Sequence, residues 1–114
     1  MKESIEISEK IHAGHPVVSV VGELDVATAP DLRVRLDDVI DRALRNAVLV
    51  DLLGVTFIDS TALGVLISGL KRSEAAGGEL RIVVAEPRIL KIFEITGLTD
   101  VFSIFPSIDE AAAV

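Results

Sequence analysis

The sequence predicts an α/β domain built on a mostly parallel sheet of four to five strands. Three observations carry that prediction. Short runs of β-branched and aliphatic residues alternate along the chain with segments whose apolar residues recur at three- and four-residue intervals. The resulting order is β-β-α-β-α-β-α-β-α, and strands separated by helices are joined most readily as parallel neighbours with right-handed crossovers. The 114 residues are half hydrophobic and only 4% aromatic, one domain's worth of chain whose core is drawn from Val, Ile, Leu and Ala.

Ser4 to Ile11 alternates Ile5, Ile7 and Ile11 with Glu6, Glu9 and Lys10, the pattern of a half-exposed edge strand. Ala13-Gly14-His15-Pro16 reads as a turn, which joins this strand in a hairpin to Val17 to Val21. His12 and His15 flank the turn without a nearby thiol or carboxylate in sequence, so they make a poor metal site. Gly22-Glu23-Leu24-Asp25 leads into Thr28-Ala29-Pro30-Asp31, where Thr28 and Asp31 have capping-box spacing and Pro30 suits a first turn. Leu32, Leu36, Val39, Ile40, Ala43 and Leu44 then trace one helical face. Arg33, Arg35, Asp37, Asp38, Asp41, Arg42 and Arg45 fill the other, a solvated face of mixed charge and not a basic patch.

Val48 to Leu70 is the central stretch, VLVDLLGVTFIDSTALGVLISGL. A buried strand passes through Gly54 into a second apolar patch, Val55 to Ile58. From Asp59-Ser60 the period changes, and Leu63, Leu66, Ile67 and Leu70 mark a helix. Ser60 stands at the handover, as N-cap or as an exposed first-turn residue. A helix start has unpaired N–H groups and a positive dipole end, so a phosphate there is compatible with the helix. Gly64 and Gly69 interrupt the helix at roughly 1 kcal/mol each relative to Ala, which suggests close packing of helix on sheet. Gly77-Gly78 ends it. Leu80 to Ala85 is a buried strand, Glu86-Pro87 opens a third helix with Ile89, Leu90 and Phe93 inward, and Gly97 closes it. Val101 to Phe105 forms the last strand, and Pro106-Ser107 starts a final helical turn.

Composition excludes several functions. Without cysteine there is no disulfide, thiolate metal site or cysteine nucleophile. A net charge of −7 argues against nonspecific nucleic-acid binding and favours a basic or mixed-charge protein partner. No apolar run is long enough to span a bilayer and the opening residues lack a signal core, so a cytoplasmic protein with no membrane association is expected.

On a parallel sheet, the loops at Glu23-Leu24-Asp25 and Asp59-Ser60-Thr61 follow the carboxyl ends of neighbouring strands, where sites gather in open α/β sheets. Asp25 either approaches Ser60 or serves its own turn. Asp59 is well suited to bonding nearby N–H groups and shaping the turn. Thr61 offers a second hydroxyl or a contact surface.

The run Val55-x-Phe57-Ile58-Asp59-Ser60-Thr61-Ala62-Leu63-Gly64-Val65-Leu66 resembles the signature of the anti-sigma factor antagonists, small bacterial STAS-domain proteins, and Gly22-Glu23-Leu24-Asp25 is similar to their second motif. The chain departs from the family at Ala62, where Gly is usual. The resemblance covers nearly the whole element order. It implies a single STAS domain over residues 1–114: superhelical β-α units, an antiparallel N-terminal strand, and helices mainly on one face of the sheet. It also implies that Ser60 accepts phosphate from a partner kinase, and that Glu23, Asp25, Asp59, Ser60, Thr61, Ala62 and Gly64 meet that partner. The partner would be an anti-sigma factor that is also a serine protein kinase of the histidine-kinase-like ATPase type, so ATP belongs to the partner and this chain carries no cofactor. A metal-dependent serine phosphatase would reverse the modification. An accessory STAS subunit of a transport or stress-signalling complex is the alternative.

Two other classes fit less well. A phosphotransfer receiver would use Asp51 at a strand end, but needs a lysine after its last strand, where the chain reads Phe-Ser-Ile-Phe-Pro. An enzyme would need more around Ser60 than the sequence offers, since no G-x-S-x-G elbow surrounds it. Gly64 to Lys71 nearly matches a phosphate-binding loop but falls inside a helix whose N–H groups are already bonded.

Overall fold

In the computed structural model, which describes residues 5–113, β1 (Glu6–His12) and β2 (His15–Leu24) form an antiparallel hairpin. Its two-residue loop, Ala13-Gly14, has φ of 51° and 85°. Positive φ at both central residues matches the twist of the flanking strands, so the turn is tighter than the sequence suggests and His15-Pro16 already belong to β2. Helix α1 (Ala29–Ala43) leads to β3 (Ala47–Ile58), α2 (Ser60–Ala75) to β4 (Glu79–Val83), and α3 (Pro87–Ile95) to β5 (Ser103–Phe105), followed by α4 (Ile108–Ala112). The sheet order follows the chain, β1-β2-β3-β4-β5, with every pairing after the hairpin parallel. The expected mixed sheet is therefore present with five strands.

Strand alternation sends side chains to two faces, and the two faces differ. Val18 and Val20 of β2, Val48, Val50 and Leu52 of β3, and Leu80 and Ile82 of β4 meet Leu32, Leu36, Val39 and Ile40 of α1, Leu63 and Leu66 of α2, and Ile89 and Phe93 of α3 in one buried cluster. Each such side chain contributes about 1.5–3 kcal/mol by burial. The ring of Phe93 meets that of Phe102 edge to face, 6.0 Å between centroids. On the other face Val17, Leu49 and Val83 pack under α4 through Ala111, with Ile108 and Phe105 alongside. The helices therefore lie mainly on one face. The edge strand β1 is tied to α1 by Glu9, whose carboxylate meets Arg35 at 2.9 Å and Arg42 at 2.8 Å.

Several local expectations are corrected. Ile11, on the edge strand of the sheet, is 70% exposed. Leu44 is exposed as well, since it lies just past the last residue of α1. Asp51 sits in the interior of β3 and not at a strand end, held by Ser19 Oγ at 2.8 Å and by the N–H of Leu53 at 2.9 Å. A receiver-type acceptor position is thereby lost. Thr28 and Asp31 form no capping box: the Thr28 side chain makes no cap bond to α1. The last strand is shorter than expected because Leu98–Asp100 forms a 3-10 turn after Gly97, whose φ is 75°. The start expected at Ser4 lies outside the described residues.

The helical glycines also differ from expectation. Gly69 packs against α1 and not the sheet: a Cβ there would stand 2.8 Å from Leu36 Cδ2. Gly64 packs against nothing, and a Cβ on it would meet no atom within 4 Å. Gly77 takes the left-handed conformation, φ 82°, that ends α2.

Candidate functional site

Two register shifts in the β2–β3 pairing, between Ser19 and Val21 and between Gly22 and Glu23, end with Leu24 opposite Ile58. Both side chains are buried. The two strands therefore stop level with each other, and the loops carrying Asp25 and Asp59 leave the same edge side by side. The N–H of Asp59 donates to Leu24 O at 3.1 Å and stitches them together.

Asp59, not Ser60, is the N-cap of α2. Its backbone is extended (φ −115°, ψ −179°) and its Oδ1 accepts the N–H of Ala62 at 3.0 Å, satisfying a donor with no helical partner. Its carbonyl accepts the N–H of Leu63 at 3.0 Å. The helix thus begins at Ser60, and Ser60 and Thr61 occupy its first exposed positions. Of the two readings open in the sequence, the structure selects the exposed first-turn serine. The capping role of Asp59 leaves its neighbour's hydroxyl free to face outward.

Asp25 serves its own loop. Its Oδ1 accepts the N–H groups of Ala27 at 2.9 Å and Thr28 at 3.0 Å, an Asx-type turn. Thr28 is buried beneath it and completes the loop: its hydroxyl donates to Glu23 O at 2.7 Å and accepts the N–H of Asp25 at 2.9 Å. In the sequence the capping spacing of Thr28 and Asp31 hides this role. The signal was present in the burial expected of a residue between Leu24 and the first inward residues of α1. The Glu23 side chain is exposed.

Ala62 is the one site residue placed off the surface. It is fully buried in the main cluster, so its methyl contributes to the core and cannot meet a partner. The extra carbon at the family's usual glycine position is therefore absorbed inside the fold. Gly64, one turn on from Ser60, is exposed.

Ser60, Thr61 and Gly64 line one wall of a groove of about 420 Å³ between α1 and α2, with Pro30, Arg33 and Val34 on the other side. In the sequence the signal for this groove is Val34, an aliphatic residue on the otherwise charged face of α1. His12 and His15 are engaged elsewhere, with Asp109 Oδ1 at 2.7 Å and Asn46 Oδ1 at 2.9 Å. Among the described residues no cluster of three His, Cys, Asp or Glu side chains stands together as a metal site, and no helix is long and apolar enough to cross a membrane.

Comparison with known proteins agrees with this fold. The STAS domain family model matches residues 6–111. The chain is 36% identical over 105 residues to the anti-sigma-B factor antagonist of Listeria monocytogenes, covering 91% of this chain and 90% of that one. The crystal structure of an anti-sigma factor antagonist from Mycobacterium paratuberculosis superposes with a TM-score of 0.87 at 30% identity, covering 96% of this chain and 92% of that one. The Bacillus cell fate determinant SpoIIAA in its phosphorylated form shares the fold, with a TM-score of 0.68 at 20% identity, covering 93% of this chain and 96% of that one.

Proposed function

The chain belongs to the STAS-domain family, whose model spans nearly its whole length, and from that premise we propose that it is an anti-sigma factor antagonist switched by phosphorylation of Ser60. The unmodified chain captures an anti-sigma factor that is also a serine protein kinase, and so frees a sigma factor. A serine phosphatase restores the unmodified form. The chain acts by binding, in the cytoplasm, and the nucleotide chemistry belongs to the partner. The curated Listeria relative bears the name anti-sigma-B factor antagonist, which supports the same reading.

The observation that carries it is the exposed first-turn position of Ser60 beside a cap residue that holds α2 without the serine's help. Phosphate would add about −1.5 to −2 charge at that point. The α2 amino end tolerates this charge, and the dipole there favours it. A partner packed over the same surface does not tolerate it where its own facing groups are acidic or apolar. Like-charge juxtaposition costs several kcal/mol, and each 1.4 kcal/mol is about tenfold in affinity. The switch then works by surface charge without refolding. SpoIIAA, which shares the fold, has been solved phosphorylated, in keeping with a fold that accepts the modification.

The test is incubation with the candidate anti-sigma kinase and ATP, followed by mass mapping of the wild type, Ser60→Ala and Ser60→Asp. Ser60→Ala should lose labelling and keep binding. Ser60→Asp should bind more weakly than wild type, though less so than the phosphorylated chain, because a carboxylate carries less charge than phosphate. Labelling that persists in Ser60→Ala and maps to Thr61 would refute the assignment of the hydroxyl.

A further inference from the structure

The groove between α1 and α2 holds two features that the fold itself does not require. Gly64 has ordinary helical backbone in the second turn of α2 and open space where a Cβ would stand, so neither conformation nor internal packing demands glycine. A helix with Ala there would be the more stable one. Across the groove, Arg33 is the exception among the arginines of its surroundings. Arg35 and Arg42 share the carboxylate of Glu9, and Arg72 holds Asp41. Among the described residues Arg33 meets no carboxylate and holds only a neutral hydroxyl, Ser68 Oγ at 3.1 Å. Val34, 69% exposed, completes an apolar wall beside it.

We propose that this groove is the seat of an acidic-apolar segment of the anti-sigma partner: an aliphatic or aromatic side chain lies against Gly64 and Val34, and an adjacent carboxylate takes Arg33. The inference rests on the function proposed above and names the partner chemistry for one part of that surface. Three observations converge on it. The volume of about 420 Å³ accommodates a large side chain. The missing Cβ of Gly64 lets a foreign chain approach the helix backbone closely, as glycine does where backbones must meet. The Arg33 guanidinium, without a carboxylate partner among the described residues, is complementary to a carboxylate and to no basic group. Ser60 lines the same groove, so a phosphate there would repel the incoming carboxylate and compete for Arg33.

The experiment measures affinity for the anti-sigma kinase by calorimetry, alongside thermal melting, for the wild type, Gly64→Ala, Arg33→Gln and Arg88→Gln. Gly64→Ala should melt about 4 °C higher, because the helix gains propensity, yet bind about tenfold more weakly because its methyl intrudes on a packed contact. Arg33→Gln should melt like wild type, bind several-fold more weakly and lose part of the salt dependence of binding. Arg88→Gln, an exposed change on α3, should match wild type in both. If the wild type binds the kinase and both groove variants bind equally well, the groove is not the docking site and the inference is overturned while the proposed function stands. If the wild type itself fails to bind, both are overturned.

Discussion

The carboxylate of Asp59 accepts the backbone N–H of Ala62 at 3.0 Å. That bond divides the labour between two adjacent residues. Asp59 does the structural work of starting α2, and Ser60 beside it is left exposed with no capping duty. The cap lies one residue before Ser60, so a change of charge at Ser60 would leave Asp59 holding the helix.

Asp59→Ala is therefore expected to destabilise the fold by about 1 kcal/mol, the usual value of an N-cap. Asp59→Asn keeps an acceptor oxygen and should stay within a few tenths of a kcal/mol of wild type. Ser60→Ala should be close to neutral. Urea midpoints at neutral pH check the order, and a larger loss for Ser60→Ala than for Asp59→Ala would mean that Ser60 is the true cap.

The second loop depends on Thr28 in the same way. Thr28→Val keeps the shape but removes a buried hydroxyl that serves Glu23 O and the N–H of Asp25. Leaving such groups unpaired costs about 1–3 kcal/mol. Thr28→Ser retains the hydroxyl and should recover most of the loss. Amide exchange at Asp25 gives a local readout: it should quicken in Thr28→Val and remain slow in Thr28→Ser.

Much of this was legible in the sequence because periodicity reports burial directly. Of the six residues that trace the inward face of α1, Leu32, Leu36, Val39 and Ile40 are buried, Ala43 is partly buried and Leu44 is exposed, and the change of period at Asp59-Ser60 falls at the start of α2. What was not legible depends on neighbours distant in sequence. The spacing of Thr28 and Asp31 satisfies a capping box, but the hydroxyl finds Glu23 O behind it and turns away. Glycine in a helix signals that something lies close, and only the packing of α1 on α2 tells Gly69, pressed on Leu36, from Gly64, which faces open space. Ala62 looked like a surface residue because the motif around it is one. Its position two residues into the helix turns it toward the core.

Gly78 gives a prediction about packing. A Cβ there would stand 2.8 Å from Leu44 O and 2.9 Å from Asn46 O, both backbone atoms of the α1–β3 connection. Backbone cannot rotate aside as a side-chain tip can, so Gly78→Ala should destabilise by about 1–3 kcal/mol, in the range of overpacked sites. Denaturant unfolding checks it. A neutral result would mean that the α1–β3 connection moves freely relative to the end of α2.

The edge strand supplies the pH dependence. Hydrogen bonds from Arg42 and Arg35 hold the Glu9 carboxyl below its ordinary value of 4.5. A carboxyl depressed in the folded state binds its proton less readily there than in the unfolded chain, so it adds stability above the unfolded value. That contribution is lost as pH falls through the folded value. Arg72 depresses Asp41 and Arg81 depresses Glu79 in the same direction, so the whole chain should lose stability on acidification below about pH 4.5. Glu9→Gln removes one of these contributions. Its unfolding midpoint should lie below that of wild type at neutral pH and approach it as pH falls through the lowered folded value of Glu9. Because Glu9 is partly exposed, the gap at neutral pH should also narrow in high salt. A gap that stays constant from neutral to acid pH would mean that Glu9 holds β1 on α1 through packing of its stem and not through its charge.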